Sequence, residues 1–265
     1  MNLSLGLSLT STRRRSGLVN PLAFLGAACY ALLVAWMRVN GLLWQDLART
    51  IPAVSHLDPV RVAVWPFGPL GEVVFTAPSD AARPLLYFEG GLLWSLSFDG
   101  VDDCLVANAN LPTPSGQAVT VGARSNRSIK SGGTSILYGS NAVGGDLRGH
   151  HVRSPPGSTG SGSHIYGAGG SQLATAYLTG DTTGANTIVV EYDNALSQTR
   201  ISFNGGTPVV GNWVGAPFPT SNQLNIGAEA GLNNYLGRTS GFSLLSGSLL
   251  SAGTKSALEA YLGGL

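Results

Sequence analysis

The chain is short of charge. Of its 265 residues only 11% are Asp, Glu, Lys or Arg, where an average domain carries about 25%. A surface so poor in ions has to be built from Gly, Ser, Thr and Asn, which argues against a cytosolic helical enzyme. The near balance of 15 basic and 14 acidic side chains argues against a strong field over the whole molecule, and with it against specific nucleic-acid binding. Two cysteines, Cys29 and Cys104, are too few for a disulfide framework. They are read either as one bridge or as two buried thiols. The longest apolar run, residues 22–37, has 16 residues before Arg38, short of the roughly 20 that a membrane span requires.

What is present is apolar material in short pieces. Hydrophobic residues make up 43% of the chain and the mean hydropathy is +0.18, enough to build a core and too much for a disordered chain. With 37 Gly and 14 Pro, breaks are frequent. Beyond residue 90 the apolar stretches 92–98, 118–123, 134–138, 172–178, 187–192, 200–203, 224–228 and 241–245 are split by Gly, Ser, Asn and Pro clusters, the pattern of an all-β sandwich or barrel. Val190 and Tyr192 alternate with Val189 and Glu191, and Ile201 and Phe203 flank Ser202, so a hairpin is expected around residues 193–199. Asn204-Gly205-Gly206 supplies residues that tolerate positive φ.

Two segments suggest helix. In residues 251–262, Ser251 or Thr254 caps, Leu258, Tyr261 and Leu262 share a face, and Gly263-Gly264 stops the helix. Residues 42–48 form a shorter candidate. Residues 139–170, with Ser154-Pro155-Pro156-Gly157 and a Gly/Ser tract, read as a long surface loop or pair of loops.

The N-terminus is organised differently. Arg13, Arg14 and Arg15 precede the apolar run, as in a signal segment. The preferred reading is a buried strand or linker within an assembly. Ahead of the arginines, Leu3, Leu5, Leu7 and Leu9 alternate with Ser, Gly or Thr, which suits a strand that augments another subunit's sheet. Residues 1–31 are therefore expected to be a docking arm and residues 32–265 the sandwich.

The stretch Leu96-Ser97-Phe98-Asp99-Gly100-Val101-Asp102-Asp103-Cys104-Leu105 resembles the FDGVDDYL signature of laminin-G-like, concanavalin A-like jelly-roll domains. The hairpin ending in Asn204-Gly205, the Asn225-Ile226-Gly227 segment, Leu236-Gly237-Arg238-Thr239-Ser240-Gly241-Phe242 and the closing helix resemble later motifs of that family, in order. Upstream, Leu43-Trp44-Gln45-Asp46, Asp58-Pro59-Val60 and Ala81-Ala82-Arg83-Pro84-Leu85 resemble the front half of such domains in tailed-phage and prophage structural genes. One departure is the apolar Trp65-Pro66-Phe67-Gly68-Pro69-Leu70-Gly71, where relatives carry a polar loop with an Asp. The resemblance implies a concanavalin A-like jelly-roll β-sandwich with an N-terminal docking arm and a short C-terminal helix, carried by a virion.

Residue chemistry adds the candidate sites. Asp99, Asp102 and Asp103 offer three carboxylates within five positions; they are read as turn caps and solvated acids, or as a calcium site without EF-hand spacing. No other cofactor is expected. A glycoside hydrolase needs two opposed carboxylates, and the nearest candidate, Glu191 with Asp193, has Ala195 at the next alternate position. His150, His151 and His164 match no zinc spacing. Glycan contacts combine an aromatic ring with amides and hydroxyls, and Asn212, Trp213, Asn233, Asn234, Tyr235, His164 and Tyr166 have those residue types.

The leading expectation is a non-enzymatic structural or adhesion protein on the surface of a phage or phage-like particle. It would be docked on capsid or tail proteins by its arm, oligomeric, with no membrane span, and would display a lectin-like sandwich that meets host-cell glycans. The alternative is an exported bacterial lectin or glycoside hydrolase with residues 13–37 as signal segment.

Overall fold

The computed structural model describes residues 21–26, 29–64, 73–89, 93–111, 118–141, 148–166, 172–215, 222–228 and 234–265. Its strands in chain order are β1 (Cys29–Leu33), β2 (Phe75–Thr76), β3 (Leu85–Glu89), β4 (Leu93–Asp99), β5 (Leu105–Leu111), β6 (Val119–Arg127), β7 (Ser135–Asn141) and β8 (Arg148–Ser154), followed by β9 (Ser161–Tyr166), β10 (Gln172–Leu178), β11 (Gly184–Asp193), β12 (Gln198–Phe203), β13 (Val209–Asn212), β14 (Asn222–Ile226) and β15 (Leu236–Ser246). Helix α1 (Val34–Val39) follows β1, and helix α2 (Ala252–Gly263) closes the chain.

These strands form two antiparallel sheets. One has the order β13-β12-β11-β6-β15-β4-β3, with β1 added beside β15; the other has the order β10-β9-β8-β7-β14-β5-β2. The expected all-β sandwich is therefore the architecture found. Consecutive strands pair in the runs β7-β8-β9-β10 and β11-β12-β13, and non-consecutive neighbours such as β6-β15 and β14-β5 join these runs to the rest of each sheet by long-range pairing. The expected hairpin is β11-β12, with Tyr192 opposite Thr199 and Ile188 opposite Phe203. Asn204 and Gly205 both take positive φ where it ends.

Between the sheets lies an apolar core that includes Leu86, Leu96, Phe98, Val121, Tyr138, Val190, Ile201, Phe242 and Leu244. A smaller cluster sits on the outer face of the eight-stranded sheet, where Leu258 and Leu262 of α2 pack on Val189, Leu245, Cys29, Ala31 and Leu33. Gly122 permits that approach, because a Cβ there would stand 2.9 Å from Leu258 Cδ2. Ser251 caps α2, its hydroxyl accepting from Thr254 N–H at 3.2 Å.

Several expectations change. The sandwich takes in residues 29–33, which pair as β1 with residues 241–245 of β15, so the boundary placed at residue 32 falls inside a strand. Within the apolar run 22–37 the described residues form a 3-10 turn (Ala23–Leu25), a buried strand and a short helix. Among the described residues no helix is long and apolar enough to cross a membrane. Residues 42–48 are not helical: Gly41 turns the chain at φ 65°, and the Asp46 carboxylate accepts from the N–H groups of Thr50 and Ile51, closing a loop instead. Residues 139–170, expected as loop, contain β8 and β9. Both cysteines are free and buried, and burial pushes the Cys29 thiol up to about 12 and that of Cys104 up to about 11. The arm residues Arg13, Arg14 and Arg15, the apolar loop 65–71 and Asn233 lie outside the described residues.

Candidate functional site

At the β4–β5 turn the three aspartates converge: carboxylate oxygens of Asp99, Asp102 and Asp103 lie within 4.8 Å of one another. Their hydrogen bonds serve the turn. Asp99 Oδ1 accepts from Val101 N–H at 2.7 Å and from Asp102 N–H at 3.3 Å, and Asp103 Oδ2 accepts from Asp99 N–H at 2.9 Å. Gly100, at φ 79°, supplies the left-handed residue that such a turn needs. Burial, reinforced by the Asp99 and Asp102 charges, pushes the Asp103 carboxyl up to about 7, the response of crowded acids.

The aromatic glycan candidates face inward. Trp213 and Tyr235 belong to the main core at 4% and 1% exposure. Tyr235 meets Ser125 Oγ at 2.5 Å and sets its ring edge-on to Phe98. Asn234 is buried, and its carbonyl accepts from Lys130 Nζ. In place of the expected stacking platform, these rings fill the space between the sheets, because each sits on a strand or strand end whose alternate side chains face the core. Asn212, at the end of β13, is exposed.

The other two candidates meet on the outer face of the seven-stranded sheet. His164 and Tyr166 alternate along β9 with the inward Ser163 and Ile165, and His164 lies opposite His151 of β8 and Thr175 of β10. Arg153 Nε donates to His164 Nε2 at 3.2 Å, and Arg153 Nη2 donates to Gln172 Oε1 at 3.1 Å. Tyr166 Oη donates to the same Gln172 oxygen at 3.4 Å. Burial, then the Arg153 charge, brings the His164 imidazole down to about 3, so it is neutral near pH 7. With Nε2 accepting from arginine, the network assigns the proton to Nδ1, which faces Thr175 Oγ1 at 2.9 Å. The edge of His151 packs on Tyr166, with ring centroids 4.8 Å apart at 90°.

This face is therefore rigid and polar, with Arg153, Gln172 and Thr175 at its solvent side. It adjoins the Asn212 corner, because Gly211 packs against the Thr175 backbone so closely that a Cβ would collide with it. The sequence singles out His164 and Tyr166 as candidates, whereas Arg153, Gln172 and Thr175, which the fold places beside them, carry no local signal. Their relation appears only once β8, β9 and β10 lie side by side.

The acids weighed for hydrolysis are held in ion pairs. Lys255 Nζ on α2 lies 3.2 Å from Glu191 Oε2, and Arg200 Nη2 lies 3.1 Å from Asp193 Oδ2. Of the histidines weighed for zinc, His150 points inward between the rings of Tyr138 and Tyr192, away from His164.

No family model matches the chain, and no curated protein matches it. Solved structures do. A receptor-binding domain is similar over 87% of this chain and 53% of its own, at 11% identity and a TM-score of 0.52. A botulinum neurotoxin type C structure, described as entering cells through two ganglioside molecules, is similar over 71% of this chain and 49% of its own, at 9% identity and a TM-score of 0.50. The CBM40 domain of a Ruminococcus gnavus sialidase, bound to sialyllactose, aligns over 56% of this chain and 83% of its own at 16% identity and a TM-score of 0.44. The chain thus spans about half of each of the first two proteins, and what it shares with them is a two-sheet β-sandwich fold.

Proposed function

We propose that the protein is a non-enzymatic, glycan-binding sandwich displayed on the surface of a phage or phage-like particle and docked there by its N-terminal arm. The observation that carries the glycan reading is the pre-ordered cluster on the outer face of β8, β9 and β10. There Arg153 and Gln172 are fixed by His164 and Tyr166, so donors and acceptors reach a sugar without the entropy cost of ordering them. The solved structures similar in fold include proteins described with gangliosides or sialyllactose, which is consistent with such a role. The ion-paired state of Glu191 and Asp193 favours a binding module over a hydrolase. The phage setting is supported by the ordered motifs from Leu43 to Leu262 and by the alternating Leu3–Leu9 segment behind which three arginines stand. Single-site affinity would be weak, and repeated copies on a particle would raise avidity many-fold.

A glycan array probed with the full chain tests the binding reading. Binding that drops at least tenfold in Arg153→Gln and in Gln172→Ala, with unchanged thermal unfolding, supports it; binding to no glycan overturns it. Deleting residues 1–20 tests docking: particles that still incorporate the truncated chain overturn the arm assignment.

A further inference from the structure

The hydrogens of the β8–β10 cluster are arranged so that donors are what it leaves for a ligand. Arginine has no acceptor, so the Arg153 Nε–H that bonds to His164 Nε2 requires that nitrogen to be bare, and the imidazole proton sits on Nδ1. From there it is donated to Thr175 Oγ1 at 2.9 Å, which frees the hydrogen of the Thr175 hydroxyl. Gln172 is fixed in the same way. Its Oε1 accepts from Arg153 Nη2 and from Tyr166 Oη. A flipped amide would set donor against donor, so Nε2 points away from both. The groups left over are Arg153 Nη1, Gln172 Nε2 and the Thr175 hydroxyl, on one exposed and two half-buried residues. Among the described residues no carboxylate bonds to any of them.

An aromatic ring lies beside these donors. Arg153, Gly162 and Tyr177 stand in one row across β8, β9 and β10. Gly160 and Gly162 leave room for the half-buried Tyr177 ring along β9: a Cβ at Gly162 would stand 2.7 Å from its Cδ2, and one at Gly160 would stand 3.0 Å from its Cζ. Ser158 Oγ, 2.7 Å from Tyr177 Oη, holds the far end of the ring. An apolar ring next to polar groups suits a sugar, whose faces are apolar and whose rim is polar. The kind of sugar follows from the hydrogens. A sugar hydroxyl brings a hydrogen as well as lone pairs, whereas a carboxylate or sulfate brings acceptors alone. Three donors, one of them cationic, are complementary to the anion.

We propose that this site selects acidic sugars. The donors of Arg153, Gln172 and Thr175 would take the oxygens of a carboxylate or a sulfate ester, and Tyr177 would take the apolar face of the ring that carries it. The inference rests on the glycan-binding reading and adds to it the charge of the ligand.

The test is an NMR titration of the isotope-labelled full chain, which reads weak binding and locates it. The probes are glucuronic, galacturonic and N-acetylneuraminic acids, each beside its methyl ester, galactose 6-sulfate beside galactose, and sodium acetate and sulfate as bare anions. The expected result is that at least one acidic sugar shifts amides of β8–β10, with its neutral counterpart about tenfold weaker or more. Carboxylates and sulfates tested side by side show which anion is taken, and either supports the site. Gln172→Glu keeps an oxygen for Arg153 and Tyr166 but puts a carboxylate in place of the free amide. It should weaken the acidic sugar about tenfold or more, leave the neutral counterpart unchanged and leave thermal unfolding intact. Tyr177→Leu should weaken acid and neutral sugars alike. Neutral counterparts that bind as tightly as the acids, or acids that bind Gln172→Glu undiminished, overturn the charge selection and leave the glycan reading standing. Bare anions that match the acidic sugars overturn the role given to Tyr177 and the sugar. No binding by any sugar, acidic or neutral, overturns both readings.

Discussion

The hydroxyls of Tyr138 and Tyr192 meet 2.7 Å apart across the two sheets. Both rings are fully buried, and the pair begins a polar seam: Tyr192 Oη also accepts from Ser163 Oγ at 3.2 Å, and Ser163 Oγ lies 2.6 Å from Thr199 Oγ1. Further along, Arg127 Nη2 reaches the Thr159 carbonyl and Thr182, and Ser161 links Ser154 to Thr182. The sheets are thus joined by side-chain hydrogen bonds as well as by apolar contact. A fully satisfied buried network specifies one register, whereas a half-satisfied one is costly.

The two tyrosines are not equivalent, which gives a first prediction. Tyr192→Phe leaves the Tyr138 hydroxyl without a partner in the core and should cost about 1–3 kcal/mol, the penalty of an orphaned buried group. Tyr138→Phe leaves Tyr192 still bonded to Ser163 and should cost about 1 kcal/mol or less. The double variant should lose less than the sum of the singles. Urea unfolding of the three variants measures this order; equal losses would refute the asymmetry.

The same seam explains what the sequence conceals. β10, β11, β12 and β15 were legible because Ala174, Val190, Ile201 and Phe242 face the core in alternation with polar or outward neighbours. β8 and β9 were not, because their inward positions include His150, Ser154, Ser161 and Ser163, so an apolar period of two is missing where the interior is polar. Site residues followed the same division. Trp213 and Tyr235 had the residue type of a glycan contact, but type does not say which face a side chain takes. Arg153 carried no signal of its own, because its partners His164 and Gln172 stand on neighbouring strands and meet it only in the folded sheet.

A second prediction concerns Gly227, in the Asn225-Ile226-Gly227 segment. Its φ is 87°, and a Cβ there would run into the Phe98 ring. Its N–H donates to the Leu137 carbonyl, and its own carbonyl accepts from Tyr235 N–H, so the backbone cannot relax freely. Gly227→Ala should cost about 3 kcal/mol, combining left-handed strain with overpacking. Thermal unfolding reads the loss; a change within about 0.5 kcal/mol would show that the turn is more plastic than its contacts imply.

A third prediction isolates the C-terminal helix. Ser251→Ala removes the hydroxyl that accepts from Thr254 N–H and should cost about 1 kcal/mol, while Ser251→Asp should retain the cap. Because Leu258 and Leu262 cover β1 and β11, amide exchange in Cys29–Leu33 should quicken along with that of the helix. Quickening confined to α2 would mean that β1 is held by β15 alone.

The last prediction is a pH profile with two opposing limbs. Burial brings the His150 and His164 imidazoles from 6.5 down to about 3, so the folded state binds fewer protons than the unfolded one. Their contribution is fully present above pH 6.5 and is lost as pH falls from 6.5 toward 3. Asp103 behaves in the opposite sense. Its carboxyl, raised from 3.8 to about 7, favours the folded state below pH 4, and that contribution is lost as pH rises through 7. Between pH 4 and 6.5 the limbs partly cancel, and below pH 4 only the histidine limb remains, so acid loss should steepen there. His150→Phe keeps an aromatic ring between Tyr138 and Tyr192 and should flatten the acid limb, whereas Asp103→Asn should flatten the limb between pH 4 and 7. Urea unfolding free energies from pH 3 to 8 measure both slopes, and an acid limb unchanged in His150→Phe would mean that this imidazole is not what resists protonation.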